Sequence, residues 1–203
     1  RLYADLGKVE RKRDRFVYAS SPDRGLVKLL ELWPRILERL PDATLDVFYG
    51  FKGAQRLGIG SDAAWTKRYE ECRRAFEQMR YQKGIACHGM VAPAELSRVL
   101  LSASAWLYPT DFTETCCALS LECRAAGVIP VCPPYAALNE TARCSQAILT
   151  PLRTDPSFDD VFIEGAVTST KVSDHDRAVM SQDAIRDYSI EAVLPRWKAL
   201  LDA

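Results

Sequence analysis

Short apolar runs alternate along the chain with stretches whose apolar residues recur at helical spacing, and this alternation restricts the fold more than any other feature. The runs predicted as strands are residues 16–19, 44–49, 85–88, 104–108, 128–132 and 146–149. Strands that alternate with helices form a parallel sheet covered by helices on both faces. The sequence therefore predicts a doubly wound, Rossmann-like α/β fold.

The intervals between the strands carry the predicted helices, at residues 26–40, 65–80, 93–101, 118–126, 138–143, 174–188 and 190–201. Residues 50–64 contain four glycines and are predicted as a loop. Residues 151–173 fit a short helix, an extra strand or a loop. Residues 1–15 are highly charged and weakly patterned, and we interpret them as a frayed entry segment or the linker that remains of an upstream connection, ahead of one domain that spans residues 16–203.

Composition excludes several classes of protein. Lys plus Arg and Asp plus Glu are both 27, which argues against a general nucleic-acid or polybasic membrane surface. No apolar stretch approaches the ~20 residues of a membrane span, so no transmembrane segment is predicted. The seven cysteines lie mostly in apolar runs and are interpreted as free thiols of a reducing, cytoplasmic compartment. With two histidines and no zinc spacing, no metal site is predicted.

Residues 104–127 read as a strand, a tight loop and a helix. Pro109 ends the strand, and Gly127 suits the C-terminal cap of the helix. Two acids interrupt the apolar pattern, Glu114 in the loop and Glu122 in the helix. Eight helical residues rise about 12 Å, and the two positions lie about 80° apart around the axis. Both acids are therefore expected near one face.

The backbone between these acids is expected to bind an anion. The first helical turn is predicted to present the amides of Thr115, Cys116 and Cys117. Free amides at a helix N-terminus favour an anion such as phosphate. A ligand with a central diphosphate and a hydroxyl-rich group at each end, such as a nucleotide sugar, suits this layout.

The Glu114-x7-Glu122 spacing in this strand–loop–helix setting resembles the C-terminal, donor-binding domain of retaining GT-B glycosyltransferases, especially glycosyltransferase family 4. The resemblance runs from about residue 16 to residue 201. His88-Gly89-Met90-Val91 resembles the third-strand loop of that family. Residues 20–25 resemble its loop after the first strand. The resemblance implies the C-terminal half of a GT-B fold.

Roles for individual residues follow from the resemblance. It implies that Glu114 holds donor-sugar hydroxyls, that Glu122 accepts from the ribose, and that Arg24 neutralises the diphosphate. The amides of residues 115–117 would face that diphosphate, and the Gly89–Val91 loop would lie against the nucleobase, with His88 beside it as a further substrate-binding residue. The family commonly has a second basic residue where this chain has Ser20 or Ser21, which either weakens the phosphate site or leaves that role to a residue such as Lys28 or Lys52.

The resemblance also implies an activity. A retaining glycosyltransferase transfers a hexosyl group from a nucleotide sugar without a metal or further cofactor, and the leaving phosphate helps to deprotonate the acceptor. An absent N-terminal domain would hold most of the acceptor, so this chain alone is expected to bind the donor without transferring sugar. The C-terminal helix is then expected to expose Val193, Trp197 or Leu200.

Other readings of the same residues stay open. The chain also fits a nucleotide-sugar epimerase of the same fold, or a non-enzymatic doubly wound interaction domain. Glu122 can belong to a solvated helix face, and Glu114 can serve to compensate the helix dipole. Arg24 and Lys28 can be ordinary solvated residues, and His88 can be a strand-end residue bonded to backbone.

Overall fold

The computed structural model describes Tyr3, residues 8–49 and residues 63–202. Its sheet consists of β1 (Arg15–Ala19), β2 (Thr44–Phe48), β3 (Ile85–Gly89), β4 (Ala105–Leu107), β5 (Ile129–Cys132) and β6 (Ile148–Leu149). The strand order is β3-β2-β1-β4-β5-β6, and each neighbouring pair is parallel. This confirms the predicted Rossmann-like sheet.

The helices are α1 (Leu26–Arg39), α2 (Ala63–Met79), α3 (Pro93–Ser102), α4 (Ala118–Ala125), α5 (Leu138–Thr141), α6 (Phe158–Ser169), α7 (Asp174–Tyr188) and α8 (Ile190–Leu201). The undecided stretch 151–173 therefore holds a helix, α6. Of the predicted loop 50–64, residues 50–62 lie outside the described residues and the last two belong to α2.

Alternate residues of each strand face opposite helical layers. Phe16 on β1 meets Trp33 of α1 edge-on, with ring centroids 6.2 Å apart. The backbone of α6 approaches the same face so closely at Gly165 that a Cβ there would lie 3.0 Å from Val131 of β5. On the other face, buried Arg177 of α7 donates to the Ser104 carbonyl at 2.6 Å. The sheet is thus covered on both sides.

Helix α1 passes through Pro34 without ending there. Proline lacks the N–H that would bond to the carbonyl four residues earlier, here that of Leu30. The side-chain amide of Gln82 donates to that carbonyl at 3.0 Å. The Nε1 of Trp33 donates to the Lys83 carbonyl at 2.9 Å, from the same turn before β3. The Gln82 bond therefore satisfies the Leu30 carbonyl, which the proline would otherwise leave unpaired.

The described part of the linker is tied to the domain, so the interpretation of residues 1–15 as frayed is wrong for it. Arg11 donates to the Ala126 carbonyl at 2.8 Å, and the Lys12 amide donates to the Ser102 carbonyl at 2.9 Å. The Asp14 carbonyl accepts from the Thr44 amide at 2.9 Å. The segment docks because donors of Arg11 and Lys12 pair with backbone carbonyls that would otherwise lack a partner.

The C-terminal helix α8 carries an exposed apolar face, as predicted. Trp197 is 60% exposed and Leu200 is 71% exposed. Val193, the third residue named for this face, is half-buried instead. None of the helices in the described part of the chain is long and apolar enough to cross a membrane.

Candidate functional site at the β1–β4 crevice

The strand order reverses direction between β1 and β4, and their following loops meet there. Gly25, in the loop after β1, has a φ of +113°. A Cβ on it would lie 2.5 Å from the carbonyl oxygen of Pro109, in the loop after β4. Only glycine allows this approach, because any side chain would need both the left-handed conformation and the occupied space. The two loops therefore form one continuous wall.

Glu114 is the central acid of this wall. Its side chain is 8% exposed, and the hydroxyl of Tyr108 donates to Oε1 at 2.5 Å. Arg24 Nη1 lies 3.2 Å from Oε1 and 3.4 Å from Oε2. Burial of a carboxylate is tolerated when charged or hydrogen-bonded partners surround it. Glu114 and Arg24 were predicted separately as site residues. They come from different loops, and the structure brings them into direct contact.

Arg24 is held flat but stays accessible. Its guanidinium carbon lies 3.9 Å from the centroid of the Phe112 ring, a cation–π contact. The side chain is 33% exposed. Burial lowers the pKa of Arg24, but the nearby Glu114, Tyr108 and Asp23 together raise it by a larger amount. The net shift is therefore upward. Arg24 is therefore a permanent cation at the rim of the crevice.

Tyr108 links Glu114 to the first loop. Burial and the hydrogen bond to Glu114 raise the pKa of the Tyr108 hydroxyl well above its ordinary range. Because that proton points at Glu114, the Tyr108 oxygen can accept from Ser20, whose Oγ lies 3.2 Å away. The neighbouring Ser21 donates to Asp23, and its carbonyl accepts from Tyr18 at 2.8 Å. Both serines thus serve the local structure of the loop.

The central helix does not include the three residues that were predicted to form its first turn. It starts at Ala118, and its N-cap Cys117 has φ 52° and ψ 64°. This left-handed conformation is incompatible with an α-helical turn, so Thr115, Cys116 and Cys117 precede the helix rather than form its first turn. Thr115 and Cys116 are exposed. Cys117 is half-buried, and burial raises the pKa of its thiol to about 11.

Glu122 lies within α4 and is half-buried. Its Oε2 accepts from the hydroxyl of Tyr3, in the linker, at 3.1 Å. Burial and the charge of Glu122 raise the pKa of Tyr3 well above its ordinary range. Glu122 is therefore not simply a residue of a solvated helix face.

His88 bonds to a side chain, and the reading of a backbone partner is wrong. Its Nε2 lies 2.6 Å from Oδ1 of buried Asp46, and its ring stacks on Phe48 at 4.6 Å. Arg15 donates to the other oxygen of Asp46, also at 2.6 Å. Asp46 lies within β2, at a position where the strand pattern predicts an apolar residue. Its two carboxylate oxygens are the hydrogen-bond partners of His88 and Arg15.

The loop after β3 carries the remaining predicted residues of the nucleobase site. Gly89 ends β3 with φ +70°. Met90 is 66% exposed and Val91 is half-buried. In the strand order β3-β2-β1-β4, the strands β2 and β1 separate this loop from the loop after β4 that carries Glu114.

Lys28 does not join Arg24. Its Nζ lies 2.7 Å from Oδ1 of Asp159 on α6. Lys52, the other candidate for a second basic residue, lies outside the described residues. Among the residues that the structure describes, no group of three or more His, Cys, Asp and Glu side chains is placed to hold a metal ion.

Tyr108 and Phe112 were not singled out by the sequence. Both flank Glu114 in the chain, and the structure uses one as its hydrogen-bond donor and the other as a platform for Arg24. The sequence does carry one signal for Tyr108. It is a tyrosine at the end of a strand predicted to be buried, and a buried tyrosine hydroxyl needs a hydrogen-bond partner. In the structure that partner is Glu114.

This fold is that of a Rossmann-like domain of the GT-B glycosyltransferases. Neither a protein-family model nor a curated protein matches the sequence. The likeness to solved structures carries the comparison, and at identities of 11–18% it establishes the fold.

Three solved structures are similar to the chain. The pneumococcal O-GlcNAc transferase GtfA, in complex with UDP and GlcNAc, matches with TM-score 0.68 and 18% identity over 98% of this chain and 37% of its own. Anabaena HepE, in complex with UDP-glucose, matches with TM-score 0.71 and 12% identity over 99% and 51%. A mutant of S. aureus TarM matches with TM-score 0.66 and 11% identity over 96% and 36%. The chain thus spans about half, or less, of each of these proteins.

Proposed function

We propose that this chain is the donor-binding domain of a retaining GT-B glycosyltransferase and holds a nucleotide-diphosphate sugar at the β1–β4 crevice. The observation that carries the proposal is the buried carboxylate of Glu114, held by Tyr108 and Arg24 where β4 ends. Open α/β sheets bind ligands outside the carboxyl ends of their strands, where the strand order reverses. A buried acid and a partly exposed cation at that place suit a polar ligand.

In this proposal Glu114 binds the sugar and Arg24 binds the phosphate on either side of the bond that breaks. Glu114 has only acceptor atoms, which suit the hydroxyls of the donor sugar. Arg24 has five N–H donors in a planar fork, more than the contacts with Glu114 occupy, and these suit phosphate oxygens. The stacking on Phe112 keeps the guanidinium oriented without neutralising it.

The backbone at the start of α4 supplies further donors. The first N–H groups of a helix have no partner within it and point out along its axis. In α4 these include the amides of Ala118 and Leu119. We assign the diphosphate to these amides and Arg24, with Thr115, Cys116 and Cys117 forming the loop that leads into them. Lys28 is left out of the phosphate site because it pairs with Asp159.

The nucleoside is assigned to the remaining predicted residues. Glu122 would accept hydrogen bonds from the ribose hydroxyls, in place of the bond that it accepts from Tyr3. The loop of Gly89, Met90 and Val91 would contact the base. His88 would keep that loop in position through its bond to Asp46. UDP is bound in the GtfA and HepE structures, so uridine is our first choice of base.

The reaction that we propose needs no carboxylate nucleophile. The bond from the sugar anomeric carbon to the diphosphate oxygen breaks, and the acceptor oxygen bonds to the same face of the sugar. The acceptor proton passes to the leaving phosphate. Arg24 and the α4 amides stabilise the negative charge that develops on that phosphate, because they are already oriented before the bond breaks.

A second domain completes the enzyme in this proposal. The similar structures are about two to three times as long as the part that this chain matches. We propose that an N-terminal domain holds most of the acceptor and covers exposed residues of α8 such as Trp197 and Leu200. Positioning of two reactants is worth ~7–11 kcal/mol of barrier, so this chain alone should bind donor without transferring sugar. The free thiols favour a cytoplasmic location.

The test is calorimetry of this chain with UDP, GDP and ADP. We expect one nucleotide to bind, and Arg24→Gln to weaken it about 10-fold or more, since a charge-assisted hydrogen bond contributes ~1.5–3 kcal/mol. Arg39→Gln is the matched control, because Arg39 also pairs with an acid, Glu164, at 3.1 Å but lies on the helical face.

Each outcome of the calorimetry either supports or contradicts the proposed site. Loss of binding in Arg24→Gln with unchanged binding in Arg39→Gln supports the site. If none of the nucleotides binds, the proposal fails and a non-enzymatic doubly wound domain replaces it. If a nucleotide binds equally to Arg24→Gln, the phosphate site lies elsewhere. A product assay with the full-length protein then separates a transferase from an epimerase.

A further inference from the structure

A cavity of about 310 Å³ opens on the far side of the β4 loop from Arg24. Its walls come from the loops that follow β4, β5 and β6, and consist of Thr110, Asp111, Tyr135, Leu152, Arg153 and Thr154. Because the strand order continues β1-β4-β5-β6, this cavity and the β1–β4 crevice flank the same loop. Its volume is within the range of small-molecule sites.

The charges of the cavity are balanced. Arg153 Nη1 lies 3.1 Å from Oδ2 of Asp111, with side chains 28% and 46% exposed. Such a pair offers no net charge to attract an anion. It does offer N–H donors on one side and carboxylate acceptors on the other. A neutral ligand with several hydroxyls can use both.

The other walls suit a sugar ring. A pyranose has an apolar C–H face and a rim of hydroxyls. Leu152 is 46% exposed, and Tyr135 is half-buried beside it in the cavity wall. The hydroxyls of Thr110 and Thr154 add polar groups that both donate and accept. Apolar, aromatic and paired charged groups thus line one concave surface.

The cavity is joined to the Glu114 loop by hydrogen bonds. Thr113 Oγ1 lies 3.3 Å from the hydroxyl of Tyr135. The Ala137 amide donates to the Glu114 carbonyl at 3.1 Å. A ligand in the cavity would therefore lie one loop away from a sugar at Glu114.

A second cavity also has paired charges but lacks the other groups that suit a sugar ring. It has about 430 Å³ and lies between α1 and α6, lined by Arg35, Arg39, Asp160, Val161, Ile163 and Glu164. It contains arginine–acid pairs but neither an aromatic ring nor a hydroxyl side chain. It also lies on the helical face and not at the strand ends.

We propose that the Asp111–Arg153 cavity binds a neutral hexose unit of the acceptor saccharide. This inference rests on the proposed function, since a sugar here would sit beside the donor sugar across the β4 loop. The donor site itself is the β1–β4 crevice, so the two ligands should bind at the same time.

The test is saturation-transfer NMR of this chain with methyl α-glucopyranoside, methyl α-galactopyranoside and methyl N-acetyl-α-glucosaminide, each with and without UDP. We expect at least one glycoside to bind in both conditions. Tyr135→Ala and Arg153→Ala should weaken it by about tenfold, through loss of an apolar wall and of charged donors. Arg153→Lys, which keeps the charge but loses the fork, should also weaken it. Arg39→Ala should not.

Other results would overturn the inference. Absence of a signal from all three glycosides, with UDP bound normally, would remove the acceptor site and leave the donor proposal intact. Displacement of the glycoside by UDP would make the cavity part of the donor site. Competition by inorganic phosphate would mean an anion site. A glycoside that binds to a chain unable to bind UDP would support the saccharide cavity but overturn the donor proposal, and with it the acceptor role.

Discussion

Tyr108→Phe should reveal how much of the fold depends on the Glu114 carboxylate. The substitution keeps the ring, which stacks on Trp106 with centroids 4.5 Å apart, and removes only the hydroxyl. That hydroxyl is the shortest contact of Glu114, at 2.5 Å, whereas the Arg24 contacts are 3.2 and 3.4 Å. The carboxylate would be left 8% exposed with its longer partner alone.

The expected loss follows from the charge on the acceptor. A hydrogen bond to a charged group contributes ~1.5–3 kcal/mol, about twice the value for neutral groups. For a domain of this size the melting temperature should fall by about 3–12 °C. Urea unfolding followed by circular dichroism measures the free energy directly. Tyr135→Phe is the matched control, because its hydroxyl lies 3.3 Å from the exposed Thr113 and its loss should change stability by less than ~0.5 kcal/mol.

A double-mutant cycle with Glu114→Gln isolates the charge. In the Glu114→Gln background, loss of the hydroxyl should cost only the ~0.5–1.5 kcal/mol of a neutral hydrogen bond. Equal costs of Tyr108→Phe in both backgrounds would show that the charge of Glu114 does not matter. A cost no larger than that of Tyr135→Phe would refute the reasoning altogether.

Three further substitutions test the wall, the ribose acid and the cysteine beneath the loop. Gly25→Ala should destabilise the fold by about 1–3 kcal/mol in urea unfolding, and by more than Gly89→Ala, because a Cβ at Gly89 meets nothing closer than 4.0 Å. Glu122→Ala should weaken binding of the preferred nucleotide in calorimetry, by less than the ~1.5–3 kcal/mol of a full charge-assisted hydrogen bond, because the ribose hydroxyls replace the bond from Tyr3; Tyr3→Phe should not weaken binding, and equal losses in both would make the pair purely structural. Between pH 9 and 11 the Cys117 thiol should lower the free energy of unfolding by up to ~1.4 kcal/mol per pH unit, because burial raises its pKa from 9.0 to about 11 and the folded state then holds a proton that the unfolded state releases. In Cys117→Ser the slope should be shallower, and a slope as steep as that of the unaltered chain would exclude this thiol as its source.

The sheet could be predicted because its information is local. Each strand is a short apolar run between residues that stop strands, and the structure places β1, β2 and β3 within one residue of the predicted bounds. The helix at Phe158–Ser169 was left undecided because its apolar residues are spread around the axis, and seven of its twelve residues are buried. Such a segment has too weak a period to be told from a strand or a loop.

The start of α4 shows why the site was harder to predict than the fold. Thr115, Cys116 and Cys117 are followed by a regular helical pattern, and nothing in their identity reveals that Cys117 adopts a left-handed conformation. The partners of the acids were equally hidden. Tyr3 and Glu122 are 119 residues apart, and Arg24 and Glu114 are 90 apart, so only the folded sheet brings them together.

Both acids that we assign to ligand hydroxyls already accept hydrogen bonds within the chain, and this has a consequence for specificity. Glu114 accepts from Tyr108 and Arg24, and Glu122 accepts from Tyr3. A ligand hydroxyl that replaces one of these donors exchanges one hydrogen bond for another, so its net contribution to affinity is small. A ligand that displaces the internal donor but lacks the hydroxyl leaves a buried carboxylate oxygen unpaired and loses much more. The arrangement therefore favours discrimination between sugars over tight binding.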